Sequence, residues 1–290
     1  MPFKTLFLPM AFEEVAVSLT DAALDMAATF KAHVLAHHVR QRHSTYPPVD
    51  FFPTSGSTTT IIQEGHDEAT AAFARTLRAA FEERCDKRGA HIVPLSEALK
   101  QNGITVSWSE STGHLAADYS LAARVSDLVL LAIPDQKQGS LEHEIFNALL
   151  MQSGAPVLAL PRDGFSGLVK RPLVAWDGSL QASRVIRSAF PLLIESEETT
   201  LLTIGETDAG TPGLEAAKLW LERGGVRVKC KTVDWPKGPI AERILNQCEA
   251  SNSDVVVMGG YSHSPLRESM VGGVTRHILH HSDKPLFMVH

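Results

Sequence analysis

The sequence predicts an α/β protein made of two copies of one β-α module, and three observations carry that reading. Short apolar runs alternate along the chain with segments whose apolar residues fall at helical spacing. The runs are continuous in Val, Leu and Ile, as strands of a parallel sheet covered on both faces require. The ends of the two halves also repeat. "VSDLVLLAIPD" from Val125 parallels "NSDVVVMGGYS" from Asn252, and "SGAPVLALPR" from Ser153 parallels "SDKPLFMVH" from Ser282. Ser126 to Ser153 is 27 positions and Ser253 to Ser282 is 29, so the copies stay in register apart from a slightly longer loop in the second. A length of 290 residues suits two domains. The Gly-spaced stretch starting at Gly164 sets the expected bounds at 1–163 and 168–290.

The second copy shows its elements in order. "RPLVAW" reads as a strand, and "SLQASRVIRSAFPLL" as one helix with Ser179 as N-cap. "TTLLTIG" is a strand, "PGLEAAKLWLERGG" a helix closed by glycine, and "VRVKCKTV" an alternating strand. "GPIAERILNQCEA" is helical, "DVVVMGG" a strand, "GVTRHILHH" a helix and "PLFMVH" the last strand. The first copy follows the same order through "LFLPMAFEE", "AHVLAHHVRQ", "DLVLLA" and "PVLALP". Its extra stretch from Gln41 to Glu64, with "PPVDFFPTSGSTTT", reads as a mobile surface loop.

Composition narrows the function classes. No apolar run approaches the ~20 residues of a membrane helix, and the amino-terminal run lacks a cleavage site and is followed by Glu13 and Glu14. Cys85, Cys230 and Cys248 are sparse, odd in number and without a CxxC pair, which points to buried thiols in a reducing cytoplasm. The net charge of −6 argues against a nucleic-acid grip. Lys+Arg against Asp+Glu is 13 to 19 over residues 1–165 and 14 to 14 over 166–290, so the acidic excess lies wholly in the first half.

The stretch "MGGYSHSPLRESMVGGVTRHIL" from Met258 leaves a strand at the edge where open parallel sheets bind ligands. Gly259 and Gly260 would let the chain turn and a ligand approach. Gly272 and Gly273 would open a helix whose free N–H groups favour an anion. Ser262, Ser264 and Thr275 add hydroxyls. The loop is neither a Walker A sequence nor G-x-G-x-x-G, and an ordinary strand–loop–helix connection would also use such glycines.

The spacing resembles the nucleotide loop of the universal stress protein family, G-x2-G-x9-G-[S/T]. Gly259 and Gly272 fit that pattern, whereas Ser262 stands where it has glycine and Gly273 where it has Ser or Thr. "VAWDGS" is similar to the family's first strand, with Asp177 at its aspartate, and "LLTIG" to its second, with Ile204 at the residue whose backbone meets adenine. The resemblance covers the chain as a tandem pair and is more specific for the second copy. It implies two Rossmann-like domains of the adenine nucleotide alpha hydrolase type, each a five-stranded, mainly parallel sheet flanked by helices. It also implies that the last strands of the two copies pair, and it allows a homodimer. The implied cofactor is ATP, with or without Mg2+, held by Asp177, Ile204, Met258, Gly259, Ser262, Gly272, Gly273, Val274 and Thr275, with no metal centre. The expectation is a stress-response protein acting through conformation or partner contact. A nucleotide-free interaction or small-ligand module and a weak ATPase are the alternatives. The first copy has "LLAIPDQKQGSLEHEIFNALL" in place of the loop, with one glycine, Gly139, and with Pro134, Asp135, Glu142 and Glu144. It has Ala11 near the place of Asp177, so it is expected not to bind nucleotide.

Other constellations carry less. His277 and His281 have metal-ligand spacing but no H-E-x-x-H. His33 and His37 would share a strand face about 13 Å apart. "SESTGH" with Asp118 invites a Ser–His–Asp reading, yet no G-x-S-x-G elbow accompanies it. No lysine lies in the second-copy loop to activate a γ-phosphate.

Overall fold

Each apolar run quoted above is a strand of one sheet in a computed structural model. It describes residues 2–41, 56–135, 140–165, 169–205, 210, 212–234, 238–260 and 273–290, with side chains from residue 67 onward in the second stretch. The N-terminal half runs β1 (Thr5–Pro9), α1 (Glu13–Phe30), β2 (His33–Gln41), α2 (Gly56–Lys87), β3 (His91–Ile92), α3 (Leu95–Ala98), β4 (Thr105–Gly113), α4 (Leu115–Ala122), β5 (Leu128–Ala132), α5 (Leu141–Gln152) and β6 (Val157–Leu160). The C-terminal half runs β7 (Pro172–Ala175), α6 (Leu180–Ser188), α7 (Phe190–Ile194), β8 (Thr199–Ile204), α8 (Leu214–Arg223), β9 (Val228–Val233), α9 (Ile240–Ala250), β10 (Val255–Gly259), α10 (Gly273–His281) and β11 (Leu286–Val289).

The strand order is β3-β4-β2-β1-β5-β6-β11-β10-β7-β8-β9. The order β4-β2-β1-β5-β6 therefore recurs as β9-β8-β7-β10-β11. All the pairings are parallel except the seam between β6 and β11, where Leu286, Phe287 and Met288 stand opposite Ala159, Leu158 and Val157. Successive side chains alternate between faces, so Leu6 and Leu8 join one apolar layer with Leu158, Val174 and Phe287, while Phe7 joins the other with Val157, Leu173 and Leu286. Both layers cross the seam.

The repeat extends to single hydrogen bonds. The Asp127 carboxylate accepts the N–H groups of Lys4 and Thr5, both at 2.8 Å, where the chain enters β1. Asp254 does the same for Lys170 (2.7 Å) and Arg171 (3.0 Å) at the entrance to β7. Ser140 caps α5 and Ser179 caps α6, each accepting an N–H of the first turn.

Three expectations are corrected. The first half has six strands rather than five, because the short β3 adds to β4 at the edge. The helix expected through "SLQASRVIRSAFPLL" breaks into α6 and α7, since Pro191 lacks the donor that a continuous helix would use. The stretch 41–64, expected as a loop, is helical from Gly56, and 42–55 lie outside the described residues. Arg84 and Arg88 tie α2 to Asp21 and Asp25 of α1.

Candidate functional site

In the C-terminal half the strand order reverses beside β7, whose neighbours are β8 and β10. A cavity of about 180 Å3 opens there, past the carboxyl ends of these strands. Asp177 follows β7, Ile204 ends β8, and Met258 and Gly259 end β10, while Val274 and Thr275 come from the first turn of α10. These six of the nine expected site residues surround one space. Gly273 begins α10 with open space around its Cα, and Ser262 and Gly272 lie outside the described residues. The remaining walls were not singled out from the sequence: Leu202, Ile240 and Ile244 supply apolar surface, and Trp176 and Gln181 close the β7 side. Ile240 and Ile244 are four apart on α9, a helix spacing that reads as ordinary core.

The volume is below the roughly 300–1,000 Å3 of pockets that enclose a drug-sized ligand. It suits a single ring system, with the rest of a larger molecule outside. Among the described residues Asp177 is the only charged side chain in the wall, and no described Lys or Arg lines it. Its Oδ1 accepts the Ser179 N–H at 2.9 Å in an Asx turn, for which Gly178 takes φ +77°. Trp176 Nε1 donates to the Pro212 carbonyl at 3.0 Å, and Thr203 Oγ1 donates to the Trp176 carbonyl at 2.9 Å. No acceptor among the described residues takes the Ile204 N–H.

The glycine pair acts differently from the expectation. Neither Gly259 nor Gly260 has a positive φ, so the turn does not require them. A Cβ on Gly259 would stand 2.7 Å from Gln181 Cβ and 3.1 Å from the Gln181 carbonyl carbon, so this glycine admits the first turn of α6 rather than a ligand. At Gly260 the nearest atoms would be at ordinary contact, 3.4 and 3.5 Å. Thr275, expected to add a hydroxyl for a ligand, is a buried residue of the cavity wall.

The N-terminal half has the same framework with a different content. Met10 N–H donates to the His37 carbonyl, and Trp176 N–H donates to the Leu202 carbonyl, both at 2.8 Å. This register makes Ala11 the twin of Asp177 and Val39 the twin of Ile204. Beside Ala11 a cavity of only about 30 Å3 lies between the ends of β1 and β5 and the helices α1 and α5, with Phe12 in its wall. At the start of α5, the Glu142 carboxylate accepts the Asp135 N–H (2.6 Å) and Arg162 Nη1 (2.8 and 2.9 Å). Gly139 lies outside the described residues.

The histidines take structural positions. His33 shares hydrogen bonds with Thr105 (2.9 Å) and Ser107 (3.0 Å), and His37 with Ser109 (2.8 Å) and Ser111 (3.1 Å), forming a ladder between β2 and β4. The serines of "SESTGH" thus meet His37 rather than His114. His38 Nδ1 donates to the Met10 carbonyl at 2.7 Å. His277 and His281 stack with ring centres 4.0 Å apart. Among the described residues no three His, Cys, Asp or Glu side chains form a metal-binding group. No described helix is long and apolar enough to cross a membrane.

A doubled, doubly wound α/β module with a cavity at its topological switch point defines a Rossmann-like architecture. The model of the universal stress protein family matches residues 213–290, from α8 to β11, and solved structures carry the same fold across the whole chain. A universal stress protein from Archaeoglobus fulgidus DSM 4304 is 15% identical with a TM-score of 0.60, over 98% of this chain and 95% of that one. A structure from Pseudomonas aeruginosa UCBPP-PA14 assigned to that family is 13% identical with a TM-score of 0.55, over 99% and 93%. A protein of unknown function from Pseudomonas aeruginosa PAO1 is 12% identical with a TM-score of 0.55, over 99% and 92%. At these identities the likeness is one of fold. A search of the curated proteins gives no match.

Proposed function

We propose that the C-terminal half binds ATP or a similar nucleotide, and that the protein works in the cytoplasmic stress response through conformation or partner contact. In this reading the two halves are domains, 1–163 and 168–290, and only the second binds nucleotide. The observation that carries it is the convergence of Asp177, Ile204, Met258, Gly259, Val274 and Thr275 on one apolar cavity, with an Ile204 N–H that no described acceptor takes. A planar base would lie between Ile204 and Met258, and Asp177 would accept ribose hydroxyls. With no cation in the described wall, the phosphates would be held by backbone N–H groups and hydroxyls between Gly259 and Thr275, which favours binding over rapid hydrolysis. Any Mg2+ would ride on the phosphates.

One observation favours the nucleotide-free module: Gly259 is accounted for by Gln181 without any ligand. Titration calorimetry with MgATP on the whole chain, repeated on Val274→Trp, separates the two. Val274 is half-exposed at the rim, so an indole there blocks the cavity without disturbing the core. Saturable heat in the wild type that is lost in the variant supports nucleotide binding, and no heat at millimolar MgATP supports the module. Because β6 and β11 already pair with each other and with their inner neighbours, a homodimer would have to use another surface.

A further inference from the structure

Tyr119 heads the fully buried side chains by size, yet it carries a hydroxyl in an otherwise apolar layer. It reaches from α4 to the carboxyl ends of β1 and β2. There its Oη accepts the Val39 N–H at 3.2 Å and donates to the Met10 carbonyl at 3.0 Å. The register given above fixes what these groups are: Val39 is the twin of Ile204, and Met10 is the twin of Trp176. Even the second donor to this carbonyl is duplicated, His38 Nδ1 on Met10 matching Thr203 Oγ1 on Trp176. In one half Ile204 lines a cavity of about 180 Å3. In the other a phenol ring takes the Val39 N–H. Burial pushes the Tyr119 phenol upward, so it stays neutral and keeps its proton for Met10.

We infer that Tyr119 is the resident occupant of a second ring-binding site, built into the N-terminal half on the same plan and held shut by the chain's own side chain. The ligand class this site accepts is a planar aromatic ring whose edge presents an acceptor to Val39 N–H and a donor to Met10 O. The Glu142 carboxylate, clamped by Arg162 and the Asp135 N–H, closes the neighbouring helix entrance in the same self-satisfying way. The inference rests on the register of the halves rather than on nucleotide binding, so MgATP can fail to bind without affecting it.

The test is chemical complementation of Tyr119→Ala in the full chain, with phenol as the probe. An apolar cavity of about 150 Å3 takes up benzene in a well-studied lysozyme, and removing the fully buried Tyr119 ring leaves an enclosed space of matching shape for phenol. Phenol should raise the melting temperature of Tyr119→Ala saturably, and toluene, which lacks the hydroxyl, should raise it less. The wild type and Tyr119→Phe, whose rings fill the site, should not respond. If Tyr119→Ala is recovered folded only when phenol is present, the inference also holds. It is overturned if phenol leaves Tyr119→Ala unchanged, if the wild type shifts equally, or if phenol fails to recover an unfolded variant while Tyr119→Phe folds.

Discussion

Gly259 and Gly260 are neighbours of the same type, and the structure predicts opposite outcomes for replacing them with alanine. At Gly259 the new Cβ would meet Gln181 Cβ at 2.7 Å, the Gln181 carbonyl carbon at 3.1 Å and the Ala182 nitrogen at 3.4 Å. Two of these atoms are backbone in the first turn of α6, which is pinned by the Ser179 cap, so no rotamer change relieves the contact. Helix and strand must separate, an overpacking that costs about 1–3 kcal/mol. At about 2–4 °C per kcal/mol, the melting temperature should fall by roughly 2–12 °C. At Gly260 the nearest atoms, Val289 O and Leu150 Cδ2, would lie 3.4 and 3.5 Å away, and the backbone has no positive φ. Gly260→Ala should therefore stay within about 0.5 kcal/mol of the wild type, the usual range for substitutions free of a specific clash. Urea denaturation of both variants is the assay. Equal stability of the two, or greater damage at Gly260, would refute the assignment of Gly259 to α6 packing.

Other consequences follow from burial and hydrogen bonding. Burial lowers the His33 imidazole to a pKa of about 4, so between pH 6.5 and that value the unfolded chain binds the extra proton. Stability should be level above this window and fall by up to about 3 kcal/mol through it as the pH drops; His33→Gln should flatten that acid limb in urea titrations, leaving the shares of His37 and His280, whose pKa values burial also lowers. Burial pushes the thiols of Cys85 and Cys248 up to about 12, and both are nearly inaccessible, so a native-state thiol titration should modify Cys230 alone until denaturant is added. Asp127→Ala and Asp254→Ala each strip the backbone N–H acceptor at a strand entrance and should each cost about 1–3 kcal/mol. Since the two carboxylates share no partner, the double variant should show the sum by chemical denaturation.

Much of the framework is legible in the sequence because strand burial on both faces leaves a continuous apolar run, and because β5 and β6 share with β10 and β11 their apolar pattern and the Ser-Asp and Ser-x-x-Pro residues that precede them. What escapes is set by long-range contacts. β3 consists of His91 and Ile92, both exposed, and exists only because β4 offers it a free edge. The break at Pro191 was available to a stricter reading, since proline in mid-helix removes a hydrogen bond. Asp177, Ile204 and Met258 could be placed because the stretches around them resemble the family's strand ends, and Thr275 because its hydroxyl stands at the start of a recognisable helix. Gln181, Ile240 and Ile244 could not, because nothing local separates a cavity wall from core packing. The two glycines looked alike for the same reason.

The divergence of the halves is confined to what stands beyond the strands. Asp127 and Asp254, Met10 and Trp176, and His38 and Thr203 keep equivalent hydrogen bonds, since a slip in register would turn every strand's side chains to the wrong face. Where no register is at stake, the acidic half has filled its site with Tyr119, Phe12 and the Glu142–Arg162 pair, and its stability is supplied internally. In the C-terminal half no described acceptor takes the equivalent donor of Ile204, and any occupant there would add stability in proportion to the logarithm of its concentration. That gain is not local to one half. Met258 in the cavity wall stands beside Met288, and Met288 stands opposite Val157 of β6, so the strand that lines the open site is one ladder step from the seam that holds the closed one.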